Sequence, residues 1–221
     1  IFNGTVIGQG EDIIKDDMRE TEVKPFQKKP YDIMSRGMAR TFQRLEAFGS
    51  LSVRDNVRVA LDIAGGMRGV WRNQDARIDE LLEQVGIASY GNERADAIPT
   101  GTARLLELAR CLARDPRLLL LDEPSSGLDE TETDAFGELL ISLAAEGRAI
   151  VMVEHDMDLV MSVCDEIHVL DFGSIIASGT PAQIRANEKV QAAYLGQGED
   201  DNTRTDLNPV ETTAVIEAVT Q

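Results

Sequence analysis

Leu118-Leu119-Leu120-Leu121-Asp122-Glu123-Pro124 is the stretch on which the reading of this chain turns. Four consecutive leucines ending in two carboxylates and a proline fit a strand buried on both faces, as in a parallel sheet covered by helices. In such sheets ligands sit beyond the carboxyl ends of the strands. Asp122 then stands where a hydrated Mg²⁺ bound to phosphate meets a hard oxygen ligand. Glu123 beside it is placed to orient or deprotonate a water that attacks a terminal phosphate. Taken alone, the same residues also describe a strand end with two solvated acids.

Downstream, Ser125-Ser126-Gly127-Leu128-Asp129 follows at once. Gly127 permits a tight turn, and Asp129 can cap the helix expected over Thr131–Glu146, which Gly147 closes. The loop fits a plain helix cap or a surface that reaches a partner subunit. Ala149–Val153 reads as a second buried strand and runs into Glu154-His155-Asp156. If that strand neighbours the first, His155 lies near Glu123, where imidazole can donate to a phosphate or hold the attacking water. A helix over Asp156–Cys164, a hairpin of Ile167–Leu170 and Ser174–Ala177 around Gly173, and short helices at Pro181–Ala186 and Lys189–Tyr194 complete the body.

Upstream, Ile98-Pro99-Thr100-Gly101-Thr102 opens an amphipathic helix ending near Arg114. A glycine beside a helix N-terminus suits an anion, although many helices begin this way and bind nothing. Residues 45–98 read as mostly helical; Ile78, Leu81, Leu82 and Val85 share one face, and Gly86 is a C-cap candidate. Thr41-Phe42-Gln43 ends a polar, lysine-rich segment containing Pro25 and Pro30. A strand or hairpin is expected around Gly4, Gly8 and Gly10. Alternating strand and helix define an α/β fold with a mainly parallel sheet.

The 221 residues make one or at most two domains, and 43% are apolar, enough for a core. Lys and Arg number 22 against 39 Asp and Glu, a net charge of −17. That argues against a nucleic-acid partner, which needs surplus basic side chains. It leaves nucleotide binding open, since backbone N–H groups can do that locally. No apolar stretch approaches the roughly 18 residues of a membrane span, and no signal peptide opens the sequence. Cys111 and Cys164 lie in helix-like apolar patterns and make no disulfide framework. From Gly196 to Gln221 there are six acids and one base. This segment reads as a disordered acidic tail after a body of residues 1–195.

In this order and spacing, the motifs resemble those of an ABC-transporter ATPase subunit. Gln43 resembles the Q-loop, Pro99–Thr102 the signature, Leu118–Glu123 the Walker B strand with its catalytic glutamate, Ser126–Asp129 the D-loop and His155 the switch histidine. Gly37-Met38-Ala39-Arg40-Thr41-Phe42-Gln43, Glu154-His155-Asp156-Met157, Ala177-Ser178-Gly179-Thr180-Pro181 and Ala193-Tyr194-Leu195-Gly196 are similar to branched-chain amino acid importers. The resemblance implies a P-loop NTPase-like domain with a helical subdomain at about residues 45–98, and ATP and Mg²⁺ as cofactors. It gives Asp122 and Gln43 to Mg²⁺, Glu123 and His155 to hydrolysis, and Thr100, Gly101, Thr102, Ser126 and Asp129 to nucleotide contacts. It implies a second ATPase subunit, identical or not, transmembrane permease subunits and, indirectly, a solute-binding protein. The place implied is peripheral, on the cytoplasmic face of the cell membrane.

Two departures stand out. The phosphate loop G-x-x-x-x-G-K-[ST] is absent: Lys15, Lys24, Lys28, Lys29 and Lys189 all lack the preceding glycine. The resemblance places that loop, the first strands and an adenine-stacking aromatic upstream of Ile1. The 221 residues alone are therefore expected neither to bind ATP tightly nor to hydrolyse it, and to aggregate through an open sheet edge. Second, Pro99 stands at the signature serine and Thr102 at its glutamine. Proline has no donor to offer, so Thr100 or Thr102 is expected to supply a hydroxyl. Urea or amide uptake, lipopolysaccharide export, a non-transport ABC ATPase and a non-enzymatic interaction module are the competing readings.

Overall fold

The computed structural model describes residues 37–43, 45–65 and 74–195, together with the backbone of 213–217. The early hairpin and the lysine-rich segment lie outside the described residues. Strand β1 (Met38–Arg40) is followed by helices α1 (Val53–Gly65) and α2 (Gln74–Gln84) and a 3₁₀ turn at Ala88–Tyr90. Helix α3 (Thr100–Leu112) leads into β2 (Leu118–Asp122), then α4 (Glu130–Ala145), β3 (Ala149–Glu154) and α5 (Met157–Val163). Strands β4 (Glu166–Asp171) and β5 (Ser174–Gly179), helices α6 (Pro181–Arg185) and α7 (Glu188–Leu195), and β6 (Thr213–Glu217) complete the order.

The strands lie in the order β1-β2-β3-β6-β4-β5. β2 pairs in parallel with β1 on one side and β3 on the other. Leucine is a good helix former, but propensities differ by less than about 1 kcal/mol per residue, whereas burying a leucine contributes about 1.5–3 kcal/mol. Burial therefore decides, and Leu118, Leu119 and Leu121 are all buried in the extended form. Leu119 shares one apolar cluster with Leu140 and Leu143 of α4, Ile150 of β3 and Leu112 of α3. Helices α1 and α2 join the same cluster through Val57, Leu61, Ile78, Leu81 and Leu82. Among the described residues no helix is long and apolar enough to cross a membrane.

The C-terminal segment departs from the expectation of a wholly disordered tail. Thr213–Glu217 forms β6, antiparallel to both β3 and β4. β3 and β4 are joined through α5, yet they stand one strand position apart, leaving two facing edges to fill. Thr-Ala-Val-Ile-Glu is the β-prone run in that segment, and unpaired edges recruit such runs. Overall composition hid it, because acids dominate the residues before it.

Candidate active site

Because β1, β2 and β3 run in the same direction, Thr41, Asp122 and Glu154 come to one end of the sheet. Thr41 is buried and stitches two strands: its N–H donates to the Leu120 carbonyl (2.9 Å), and its Oγ1 accepts from the Asp122 N–H (3.1 Å). The Asp122 carboxylate lies 3.5 Å from the Arg40 guanidinium, which stacks on the Phe42 ring at 4.8 Å. Both charged side chains are partly exposed, so that ion pair is worth at most about 1 kcal/mol. Asp122 can exchange it for a stronger cation.

Glu123 has a left-handed backbone, φ +45°. Such a conformation costs a non-glycine residue about 1–3 kcal/mol and persists only where neighbours enforce it. Its N–H donates to the Val153 carbonyl (2.8 Å), and its carbonyl accepts from the Ser126 N–H (3.2 Å). Asp122 pairs with Val153 in the ladder, which sets Glu123 level with Glu154, one residue before His155. The His155 side chain is 62% exposed, with Nδ1 3.5 Å from a Glu154 oxygen. Asp122, Glu123 and His155 thus share one rim.

Thr100, Gly101, Ser126 and Asp129 belong to a second cluster, where the start of α3 meets the loop after β2. A Cβ on Gly101 would stand 2.8 Å from Leu128 Cδ2 and 3.0 Å from the Gly127 carbonyl oxygen. Gly127 has φ +90°, and a Cβ there would approach Thr100 Cγ2 to 3.0 Å. Only glycine allows this approach. Asp129 caps α4: its Oδ1 accepts from the Glu132 N–H (2.8 Å), and Glu132 Oε2 accepts from the Asp129 N–H (3.0 Å). Thr100 is exposed, whereas Thr102 is only 5% exposed. Thr102 lies on the core-facing stripe with Leu106 and Ala109, so the outward hydroxyl is that of Thr100.

Gln43 is exposed, and side chains of α3 hold its loop. Arg104 donates to the carbonyls of Phe42 (3.0 Å) and Gln43 (2.6 Å). Glu107 accepts from the Glu46 N–H (2.7 Å) and from Arg104 (3.3 Å), and Arg110 donates to the Glu46 carbonyl (2.7 Å). Burial pushes the Glu107 carboxyl above its ordinary pKa, against the opposing pull of the Glu46 N–H and of Arg104. A cleft beside this loop is lined by Phe42, Val59, Ala60 and Ile63, with Arg110 at its wall. Burial pushes the Cys111 thiol up to about 12, which keeps it protonated near neutral pH. Neither Glu107 nor Glu154 was singled out in the sequence reading. Besides near neighbours, each has one partner far along the chain, Glu46 at 61 residues for Glu107 and Ser125 at 29 for Glu154, and only a hydrophobic pattern that places a Glu on a buried face would have hinted at either.

Among the described residues no cluster of three or more His, Cys, Asp or Glu stands ready to hold a metal unaided. A lone, partly exposed carboxylate at Asp122 suits Mg²⁺ that arrives with a nucleotide and keeps its waters.

Parallel strands whose carboxyl ends carry an Asp–Glu pair and a histidine are the arrangement expected of an α/β nucleotide hydrolase. The sequence profile described as ABC transporter matches residues 4–126, and that of the branched-chain amino acid ATP-binding cassette transporter matches residues 174–200. The chain belongs to the ABC transporter family, whose ATP-binding subunits hydrolyse ATP. It is 36% identical to the high-affinity branched-chain amino acid transport ATP-binding protein BraF of Pseudomonas aeruginosa, over 76% of this chain and 71% of that one. It is 37% identical to LivG of Escherichia coli, of the same description, over 73% and 68%. It is 31% identical to the lipopolysaccharide export system ATP-binding protein LptB of Haemophilus influenzae, over 73% and 66%. Among solved structures, an ATP-binding cassette of an ABC transporter superposes with a TM-score of 0.66 at 23% identity, covering 76% of this chain and 72% of that one. CbiO1 of Clostridium perfringens, part of an ABC transporter complex, gives 0.63 at 24% identity, covering 88% and 82%. Cassettes of this fold dimerise, as one dimeric cassette of an ABC transporter illustrates.

Proposed function

We propose that this chain is the ATP-hydrolysing subunit of an importer for branched-chain amino acids, working on the cytoplasmic face of the membrane. The similarity to BraF and LivG, with the matching profile over residues 174–200, carries the choice of solute. The rim of Asp122, Glu123 and His155 supports the chemistry. Mg²⁺ bound with ATP supplies neutralisation of phosphate charge. Asp122, with Gln43 across the rim, would hold that ion. Glu123 orients the attacking water and draws its proton, and His155 faces the terminal phosphate. Thr100 and Gly101 at the start of α3, with the Ser126–Asp129 loop, would meet the nucleotide of a second ATPase subunit. The cleft, with Phe42 and Ile63 among basic and acidic side chains in its lining, suits a permease helix, and Gln43 follows Phe42 directly. The solute-binding protein would act through the permease alone.

Transport in vesicles tests the solute. The full-length subunit, assembled with its permeases and binding protein, is expected to drive ATP-dependent uptake of labelled leucine. Failure to do so, with ATP-driven lipopolysaccharide release instead, would transfer the chain to the export branch. The hydroxyl at the second nucleotide face has its own test. A hydrogen bond to a charged group is worth about 1.5–3 kcal/mol, so Thr100→Ala should lower ATPase activity about tenfold or more. Thr102→Ala, in the core, should leave the KM for ATP unchanged. Unaltered activity in Thr100→Ala would remove that residue from the nucleotide contacts.

A further inference from the structure

Glu154 ends β3 and its side chain is 0% exposed. A buried carboxylate costs several kcal/mol unless donors replace the lost water. Here the donors divide between its two oxygens. Oε1 accepts from the N–H (2.8 Å) and the hydroxyl (2.5 Å) of Ser125, two residues after Glu123. Oε2 accepts from the N–H groups of His155 (2.9 Å) and, at longer range, Asp156 (3.4 Å). One oxygen serves the loop that follows Asp122 and Glu123, and the other serves the loop that carries His155.

We propose that Glu154 is a positioning residue whose carboxylate bridges these two loops and fixes the Glu123 carboxyl and the His155 imidazole in one arrangement. The proposal rests on the roles given above to Glu123 and His155. The left-handed backbone of Glu123 supports it independently. Strain of that kind relaxes when its surroundings loosen. Glu123 is pinned in front by its N–H bond to Val153 and behind by the turn through Ser125 and Ser126. Glu154 is the side chain that locks the turn to the neighbouring strand.

Glu154→Gln keeps the shape but replaces one acceptor oxygen by an NH₂, which cannot accept from N–H groups. One of the two loops must then be released. Both Glu154→Gln and Ser125→Ala should be measured in the full-length protein, beside Glu123→Gln. In Glu154→Gln, kcat for ATP hydrolysis is expected to fall about tenfold or more with the KM for ATP changed less than about threefold. Ser125→Ala loses the hydroxyl but keeps the N–H, so its kcat should fall about threefold, and the double variant should be no worse than Glu154→Gln alone. A lesion of general packing would instead change KM and kcat together. If Glu123→Gln is inactive while Glu154→Gln turns over within about twofold of the parent, Glu154 positions nothing and the proposal is overturned. If Glu154→Gln does not fold, Ser125→Ala decides, and an unchanged kcat there also overturns the proposal. If Glu123→Gln itself turns over normally, the hydrolytic reading fails first and this proposal falls with it.

Discussion

Glu123→Gln in the full-length protein is expected to reduce ATP turnover at least about a hundredfold while leaving ATP binding intact, in line with the usual contribution of a positioned general base. That factor corresponds to about 2.7 kcal/mol of transition-state stabilisation. The substitution suits the question because it separates chemistry from structure. Glutamine has nearly the volume of glutamate, and the backbone bonds that hold the left-handed conformation do not involve the side chain. Asp122 and its contact with Thr41 are untouched. Only the capacity to take a proton is removed. Steady-state hydrolysis, with ATP binding measured in parallel, gives the answer. Turnover within a few-fold of the parent would show that the carboxylate next to Asp122 is a solvated strand end and nothing more.

Legibility in the sequence followed the range of the interactions. The Leu118–Leu121 strand, the helix closed by Gly147 and the hairpin at Gly173 were readable because each signal lies within a few residues of the element it sets. The rim was readable for a related reason. In parallel strands the carboxyl end of each run is known once the run is found, so Asp122, Glu123 and His155 could be placed together. The helix after Gly101 was legible as amphipathic, but which of its two threonines faces the core comes from the structure, where Thr102 is buried with Leu106 and Ala109. The clamps were not readable. Glu107 and Glu154 look like ordinary charged residues, and only tertiary contact shows that each is buried and accepts from a distant loop, at Glu46 and at Ser125. β6 was missed because its slot is made by two strands joined through α5. No local pattern around Thr213 records that vacancy.

Glu107 carries the largest expected effect on stability. Glu107→Ala leaves the Arg104 guanidinium, itself 9% exposed, without its carboxylate, and the Glu46 N–H without an acceptor. Removing one partner of a buried pair costs about 3–5 kcal/mol. Urea unfolding of the full-length protein should register a loss in that range. Replacement by Gln separates charge from shape through pH. Burial holds the folded-state pKa of Glu107 above the ordinary 4.5. Above both values the folded protein carries a charge that burial disfavours. As pH falls through the raised value towards 4.5, the folded state takes up the proton before the unfolded state does, and the contribution of Glu107 to stability rises. The stability of the parent minus that of Glu107→Gln should therefore grow on acidification through that window and level off below it. A difference that shrinks on acidification would mean that attraction to Arg104 outweighs burial and holds the carboxyl below its ordinary range. The measurement also bears on function. Arg104 reaches the Phe42 and Gln43 carbonyls from the helix whose first residues are Thr100 and Gly101. Loosening Glu107 should therefore disturb Gln43 and the second nucleotide face together, although neither contacts the substituted residue.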